Sequence, residues 1–205
     1  MKGDVIVRDV RDHERYFTPE AYFDWEAQQL EKYELIEGRV YAMGGGTQNH
    51  SAIAINVVSL LKSYLRGGPC QVFNSDLKVN LVNTSNYTYP DVSVTCDDRD
   101  RENPLYITYP CVIVEVLSKS TEADDRGRKF DKYRRNPQLI DYVLVSSEEL
   151  AIDIYHKNSA GEWVILSYRA GDRVELKSIG FRVAIEQFYE DVVFEAHGSD
   201  DENMH

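Results

Sequence analysis

Two carboxylates stand in strongly apolar company. Asp91 opens the run Tyr-Pro-Asp-Val-Ser-Val at 89–94, and Glu115 sits inside Val-Ile-Val-Glu-Val-Leu at 112–117, the most apolar stretch of the chain. An unpaired carboxylate inside a core costs several kcal/mol, so Glu115 has to be neutralised, paired with a cation or bound to a metal ion. One reading pairs it with Arg126 or Arg128 from the segment that follows and leaves Asp91 as a cap at a strand start. The other lets a metal ion remove the penalty.

The elements that would carry this pair can be read from periodicity. The apolar runs at 89–96 and 111–117, each bounded by loop residues, predict buried central strands. Ser120-Thr121 then precede a helix predicted over 122–136, where Asn136-Pro137 stops it. Upstream, Thr18-Pro19 is an N-cap followed by a first-turn proline, predicting a helix from Pro19 to Lys32 with Tyr22, Trp25 and Leu30 among its apolar members. A hairpin over 33–36 and 39–43 turns at Glu37-Gly38. Ile53, Val57, Leu60, Leu61 and Tyr64 recur at helical spacing, predicting a core helix from Thr47 to Leu65.

A strand is expected over 71–82, with Leu77, Val79 and Leu81 on one face and Asp76, Lys78 and Asn80 on the other. Strands at 140–145, 150–156, 163–168 and 173–176 and a short segment at 185–189 complete the order. The sum is an α/β or α+β fold, a mixed sheet flanked by helices.

The chain has 205 residues, 42% hydrophobic and 28% charged, which predicts one domain over 18–197. Residues 1–17, charged and aperiodic, read as a flexible segment, and the acidic Gly-Ser-Asp-Asp-Glu-Asn-Met-His at 198–205 reads as a disordered tail. Lys plus Arg 23 against Asp plus Glu 35 gives a net charge of −12, which excludes a broadly basic nucleic-acid coat. No apolar run is long enough for a membrane span and no signal-type segment opens the chain, so a cytoplasmic protein without a membrane partner is expected. Cys70, Cys96 and Cys111 lack C-x-x-C spacing and lie in or beside strand-like runs, so they read as buried thiols, neither disulfides nor zinc ligands. Gly44-Gly45-Gly46 lacks a following G-K-[ST] and is read as a flexible loop; a G-x-S-x-G elbow is absent, which argues against a covalent hydrolase.

Pro90-Asp91, the run Glu-Val-Leu-Ser-Lys-Ser-Thr at 115–121 and Asp-Arg-Gly-Arg-Lys-Phe-Asp-Lys-Tyr at 125–133 together resemble the restriction-endonuclease family of the PD-(D/E)xK nuclease superfamily, long classed only as a domain of unknown function. The likeness takes in Tyr-Glu-Leu-Ile-Glu-Gly-Arg-Val at 33–40, His50, and Asp-Tyr-Val-Leu-Val at 141–145. It implies a restriction-endonuclease-like mixed β-sheet flanked by helices, with Asp91 and Glu115 on adjacent strands as ligands of Mg²⁺ or Mn²⁺. Hard oxygen donors suit both ions, which retain waters and take further ligands from substrate phosphate.

The superfamily lysine is expected two positions beyond Glu115, where this chain has Leu117. Two lysines are available instead: Lys119, further along the same strand face, and Lys129, where the related family carries its lysine in the pattern D-x-x-x-K-x-x-x-Y. Lys129 is preferred. Glu34, in the matching Tyr-Glu-Leu-Ile segment, is a third acidic candidate for the metal, against a solvent-facing hairpin glutamate. Asp76 reads as a partner of Lys78 or of a neighbouring strand, and His50 as a capping or packing residue. The local basic excess lies at 126–135, where Arg126, Lys132, Arg134 and Arg135 are the candidates for nucleic-acid phosphates; a solvated helix face, with Asp125 supporting Lys129 at i, i+4, is the other reading.

The function implied is a metal-dependent nuclease hydrolysing phosphodiester bonds, of DNA in the first place. The alternative is a nuclease-fold module that binds nucleic acid or a protein without cutting. A homodimer would match the two-fold symmetry of duplex DNA.

Overall fold

The computed structural model describes residues 16–82, 85–119 and 121–194. Of the expected flexible segment 1–17 only the last two residues fall within that range, and the tail 198–205 lies outside the described residues. Thr18 caps helix α1 (Pro19–Glu26) by accepting from the Ala21 amide. This helix stops six residues short of the predicted Lys32. Its last carbonyls are taken by the Gln28 and Gln29 side-chain amides, which donate to Asp24 O and Trp25 O, and Leu30 is fully exposed with no core to face.

The hairpin β1 (Tyr33–Ile36) and β2 (Arg39–Ala42) forms as expected. Glu37 and Gly38 both take positive φ, 52° and 78°, as a two-residue hairpin turn requires. Helix α2 (Gln48–Tyr64), capped by the Thr47 hydroxyl, buries Ile53, Val57 and Leu61.

The strand expected over 71–82 is two strands in two different sheets, β3 (Gln71–Asn74) and β4 (Lys78–Asn80). The break comes at Asn74, whose side-chain oxygen accepts from the Asp76 amide and whose carbonyl accepts from Leu77 N, a local asparagine turn that outcompetes the ladder. There follow β5 (Tyr87–Thr88), β6 (Val92–Thr95), a 3-10 turn (Asp98–Arg101), β7 (Tyr106–Ile107) and β8 (Pro110–Leu117). The predicted helix 122–136 consists of α3 (Glu122–Asp124), a π-helical turn (Asp125–Lys129) and α4 (Phe130–Tyr133). Strands β9 (Asp141–Ser146), β10 (Ala151–Lys157), β11 (Trp163–Arg169), β12 (Arg173–Leu176) and β13 (Phe181–Ala184) lead to a 3-10 turn (Ile185–Tyr189).

The principal sheet has the order β11-β10-β9-β8-β6-β3, antiparallel throughout except for the parallel pair β8/β9. Alternation along β8 sorts its two faces. Val112, Val114 and Val116 pack with Ile53, Val57 and Leu61 of α2, whereas Ile113 and Leu117 join Tyr133, Leu139 and Leu144 on the other face. Glu115 belongs by this period to the second face. A five-stranded sheet of order β2-β1-β5-β4-β7 sets the hairpin beside it.

One expectation about cysteine is corrected. Cys70 and Cys96 form a disulfide, and Cys111 is the free thiol, its sulfur 3.7 Å from that of Cys96. The antiparallel register pairs Gln71 with Thr95, so the next residues outward, Cys70 and Cys96, face one another across β3 and β6. That juxtaposition of residues 26 apart depends on strand pairing and leaves no trace in the spacing. Burial pushes the Cys111 thiol up to about 11.

Candidate active site

Strands β6 and β8 pair with Val92 opposite Val114 and Ser93 opposite Ile113; one further step of that register sets Asp91 opposite Glu115, on the same face. Asp91 Oδ2 accepts from the Val116 amide at 2.7 Å, taking up a ladder donor at the end of its strand. Glu115 is only 3% exposed. Neither of the arginines considered for it reaches it: Arg126 pairs with Glu122 and Asp153, each at 2.8 Å, and Arg128 with Asp124 at 2.6 Å.

The cation that does reach Glu115 is Lys129, whose Nζ lies 3.3 Å from Glu115 Oε1 and 3.0 Å from Asp125 Oδ1. Lys129 and Asp125 both come from the π-helical turn, whose Asp125 carbonyl accepts from the buried Tyr142 hydroxyl at 2.8 Å. Such turns widen a helix locally and re-aim its side chains. Lys119 is elsewhere, 85% exposed and 3.1 Å from Glu148.

Glu34 arrives from β1 and accepts from the Tyr89 amide at 3.1 Å. His50, from the first turn of α2, sets Nε2 3.3 Å from Asp91 Oδ2. These six groups line one cavity of about 520 Å³. His50 is the residue that sequence reasoning undervalued; the available signal was its place in the family-like segment after the glycine loop. One glycine of the loop has a steric reason, because a Cβ on Gly46 would come within 2.7 Å of His50 Nδ1, whereas Gly44 and Gly45 face open space.

Asp76 is not part of the site and pairs with Lys32 in the turn before β4. In the basic segment, Arg126 and Arg134 are engaged with carboxylates, Arg134 with Asp131 at 3.0 Å, Lys132 is half-buried, and Arg135 is exposed with no ion pair among the described residues.

The electrostatics follow from crowding four carboxylates around one ammonium. Burial, reinforced by Asp91, Asp125 and Glu34, pushes the Glu115 carboxyl well above the usual range, with Lys129 opposing. Burial works against the Lys129 ammonium, but Glu115, Glu34 and Asp125 outweigh it and hold the lysine charged well beyond its ordinary range. The hydrogen bond to Asp91 raises His50 above the ordinary histidine value.

Among the described residues no three His, Cys, Asp or Glu form a ready-made metal cage. Mg²⁺ asks for less, one or two carboxylates with waters and phosphate oxygens. Glu115 Oε1 and Asp125 Oδ1 are buried without a hydrogen-bond donor of good geometry, although Lys129 lies within ion-pair distance of both. Acceptor oxygens left open beside excess negative charge fit a hard divalent cation.

The family model described as "Putative restriction endonuclease", Uma2, matches residues 19–186. The chain belongs to the Uma2 family. Its relatives in Synechocystis sp. (strain ATCC 27184 / PCC 6803 / Kazusa) include uncharacterized protein slr1290, 56% identical over 177 residues covering 86% of this chain and 93% of that one. A second, uncharacterized protein sll1609, is 28% identical over 165 residues, 80% of this chain and 93% of that one. A crystal structure from Anabaena variabilis ATCC 29413, titled as a putative nuclease belonging to DUF820, superposes with a TM-score of 0.69 at 17% identity, over 86% of this chain and 99% of that one. This Uma2 chain therefore has the restriction-endonuclease-like mixed α+β fold. No helix among its described residues is long and apolar enough to cross a membrane.

Proposed function

We propose that this Uma2 chain is a divalent-cation-dependent nuclease that hydrolyses phosphodiester bonds of DNA. The observation that carries the reading is Asp91 just before β6, bonded to the Val116 amide beside Glu115, with the Lys129 ammonium 3.3 Å from Glu115, all lining one cavity. The family description supports the reaction class and the polymer.

Asp91 and Glu115 are the residues that would hold Mg²⁺ or Mn²⁺, with Glu34 on the wall of the same cavity as a further carboxylate. The chemistry such a cation supplies when bound is polarisation of the scissile phosphate and activation of water. Lys129 stays protonated under the pull of Glu115, Glu34 and Asp125, so its Nζ offers fixed positive charge where negative charge builds on the phosphate. His50 and the Val116 amide both meet Asp91 at Oδ2, which holds that oxygen in place and leaves Oδ1 as the other donor of the carboxylate.

The test is plasmid nicking with Mg²⁺ or Mn²⁺ against EDTA, on wild type, Asp91→Ala and Glu115→Ala, with Mn²⁺ binding followed by calorimetry. Cation-dependent nicking by wild type alone, with Mn²⁺ binding lost in both variants, is the expected result. Unchanged Mn²⁺ affinity in both variants removes the reading.

A further inference from the structure

The cavity at Asp91 does not end there. A groove of about 900 Å³ shares Met43, Gly44, Gly46, His50 and Asp91 with it and continues along the outer face of α2 to Lys62 and Arg66. Its helical wall is one stripe of exposed side chains, Ser51, Ile55, Ser59, Lys62, Ser63 and Arg66, at the three- and four-residue spacing that aligns on a helix. In a chain of net charge −12, the described residues that line this groove include no carboxylate except Asp91 at its head.

Lys62 and Arg66 are exposed and have no ion-pair or hydrogen-bond partner among the described residues. The contrast with the segment at 126–135 is direct. There Arg126, Arg128, Lys129 and Arg134 each sit on a carboxylate, so their charge is largely cancelled where it stands, and Arg135, exposed without an ion pair among the described residues, does not line the groove. An ion-paired guanidinium must lose that partner before it can take a phosphate; a free one releases counterions from the strand at once.

We infer that a nucleic-acid strand leaves the active site along this groove, its phosphates held by Lys62 and Arg66 and by the serine hydroxyls of the α2 stripe. The inference rests on the nuclease reading for the direction of the strand. Helical rise gives the reach: the 12 residues from His50 to Lys62 span about 18 Å, roughly five nucleotides at ~3.4 Å per nucleotide along one strand. The last two cations, one turn apart, then meet phosphates about five to seven nucleotides from the scissile bond. Two cations and a row of hydroxyls on one helix face match the regular repeat of phosphates along a strand, contacts that fix register and carry no sequence information.

The experiment measures binding of a fluorescently labelled 20-base-pair DNA by anisotropy, in EDTA so that no cleavage is needed, from 50 to 200 mM salt. Lys62→Glu with Arg66→Glu is expected to weaken binding at least tenfold at the lowest salt. The milder Lys62→Gln with Arg66→Gln should lower the slope of log K against log salt by about two, one for each phosphate no longer neutralised. Arg134→Glu with Arg135→Glu should stay within about threefold of wild type. Binding by the Lys62/Arg66 pair indistinguishable from wild type, a salt slope that does not move, or no binding by wild type overturns the groove assignment, and so does a larger loss in the Arg134/Arg135 variant. Absence of cation-dependent plasmid nicking in wild type defeats the nuclease reading alone, because the anisotropy result stands without it.

Discussion

Lys129 reaches Glu115 across the space between a helix and a central strand, with 3.3 Å between Nζ and Oε1, although the superfamily pattern expects its lysine on the strand itself, where this chain has Leu117. Leu117 is buried in the core beside Tyr133, so the strand position has gone to packing and the ammonium is supplied from the π-helical turn. If Lys129 stabilises charge on the phosphate, Lys129→Ala cuts single-turnover cleavage by about two to three orders of magnitude with Mn²⁺ binding retained. Lys119→Ala, at a solvent-exposed pair, leaves the rate within a few-fold. The reverse order of the two variants would move the role to Lys119.

Glu115 gives a prediction about stability without metal. Its carboxyl is raised by burial, so its protonated form favours the fold; that contribution is complete below the ordinary carboxylate pKa and is lost as pH rises through the raised value. Glu115→Gln removes the loss. Urea unfolding in EDTA should therefore find the variant more stable than wild type at pH 8 and equal to it near pH 4. Mn²⁺ should stabilise wild type and not the variant, since only the former keeps both ligands.

His50 is held up by its hydrogen bond to Asp91, and the sign is opposite to that of an ordinary carboxylate. The pair stabilises the fold fully below about pH 6.5, the ordinary histidine value, and loses the contribution as pH rises through the raised one. An NMR titration of His50 should show a pKa above that of a free histidine, falling in Asp91→Asn. Gly46→Ala should lower it too, because the new Cβ would occupy space 2.7 Å from Nδ1 and displace the ring from Asp91. A His50 pKa unchanged in both variants would count against the pairing.

Behind the site, Glu26 ties three elements together. Its carboxylate accepts from the Lys78 ammonium at 2.7 Å, the Tyr89 hydroxyl at 2.6 Å and the Tyr33 amide at 3.2 Å, next in sequence to Glu34. Glu26→Ala leaves a largely buried ammonium without its partner and should cost about 3–5 kcal/mol in chemical denaturation. Glu26→Ala with Lys78→Met should recover most of it.

The disulfide is checked by counting thiols. Denatured without reductant, the chain should release one reactive thiol, Cys111, and three after reduction. Cys70→Ser with Cys96→Ser should lower stability by about 3 kcal/mol through the freed loop. Three thiols before reduction would show the pair open.

What the residues determined alone was local: where helices and strands begin, which faces are apolar, and that a glutamate in Val-Ile-Val-Glu-Val-Leu had to find a cation. The hairpin turn at Glu37-Gly38, the capped helix α2 and strands β6 and β8 follow from short-range conformational preference and periodicity, which act within a few residues and so are written in order along the chain. Pairings across sequence distance are not written that way. The antiparallel register that faces Asp91 with Glu115 and Cys70 with Cys96, the split of 71–82 between two sheets, and the π-helical turn that aims Lys129 are settled by how strands and helices pack. The charge of the segment at 126–135 shows the same limit: its cations count alike in sequence, but only folding brings Asp153 to Arg126 and leaves Lys62 and Arg66 without an ion pair among the described residues, because ion pairing depends on distances of a few ångströms that the chain order does not contain.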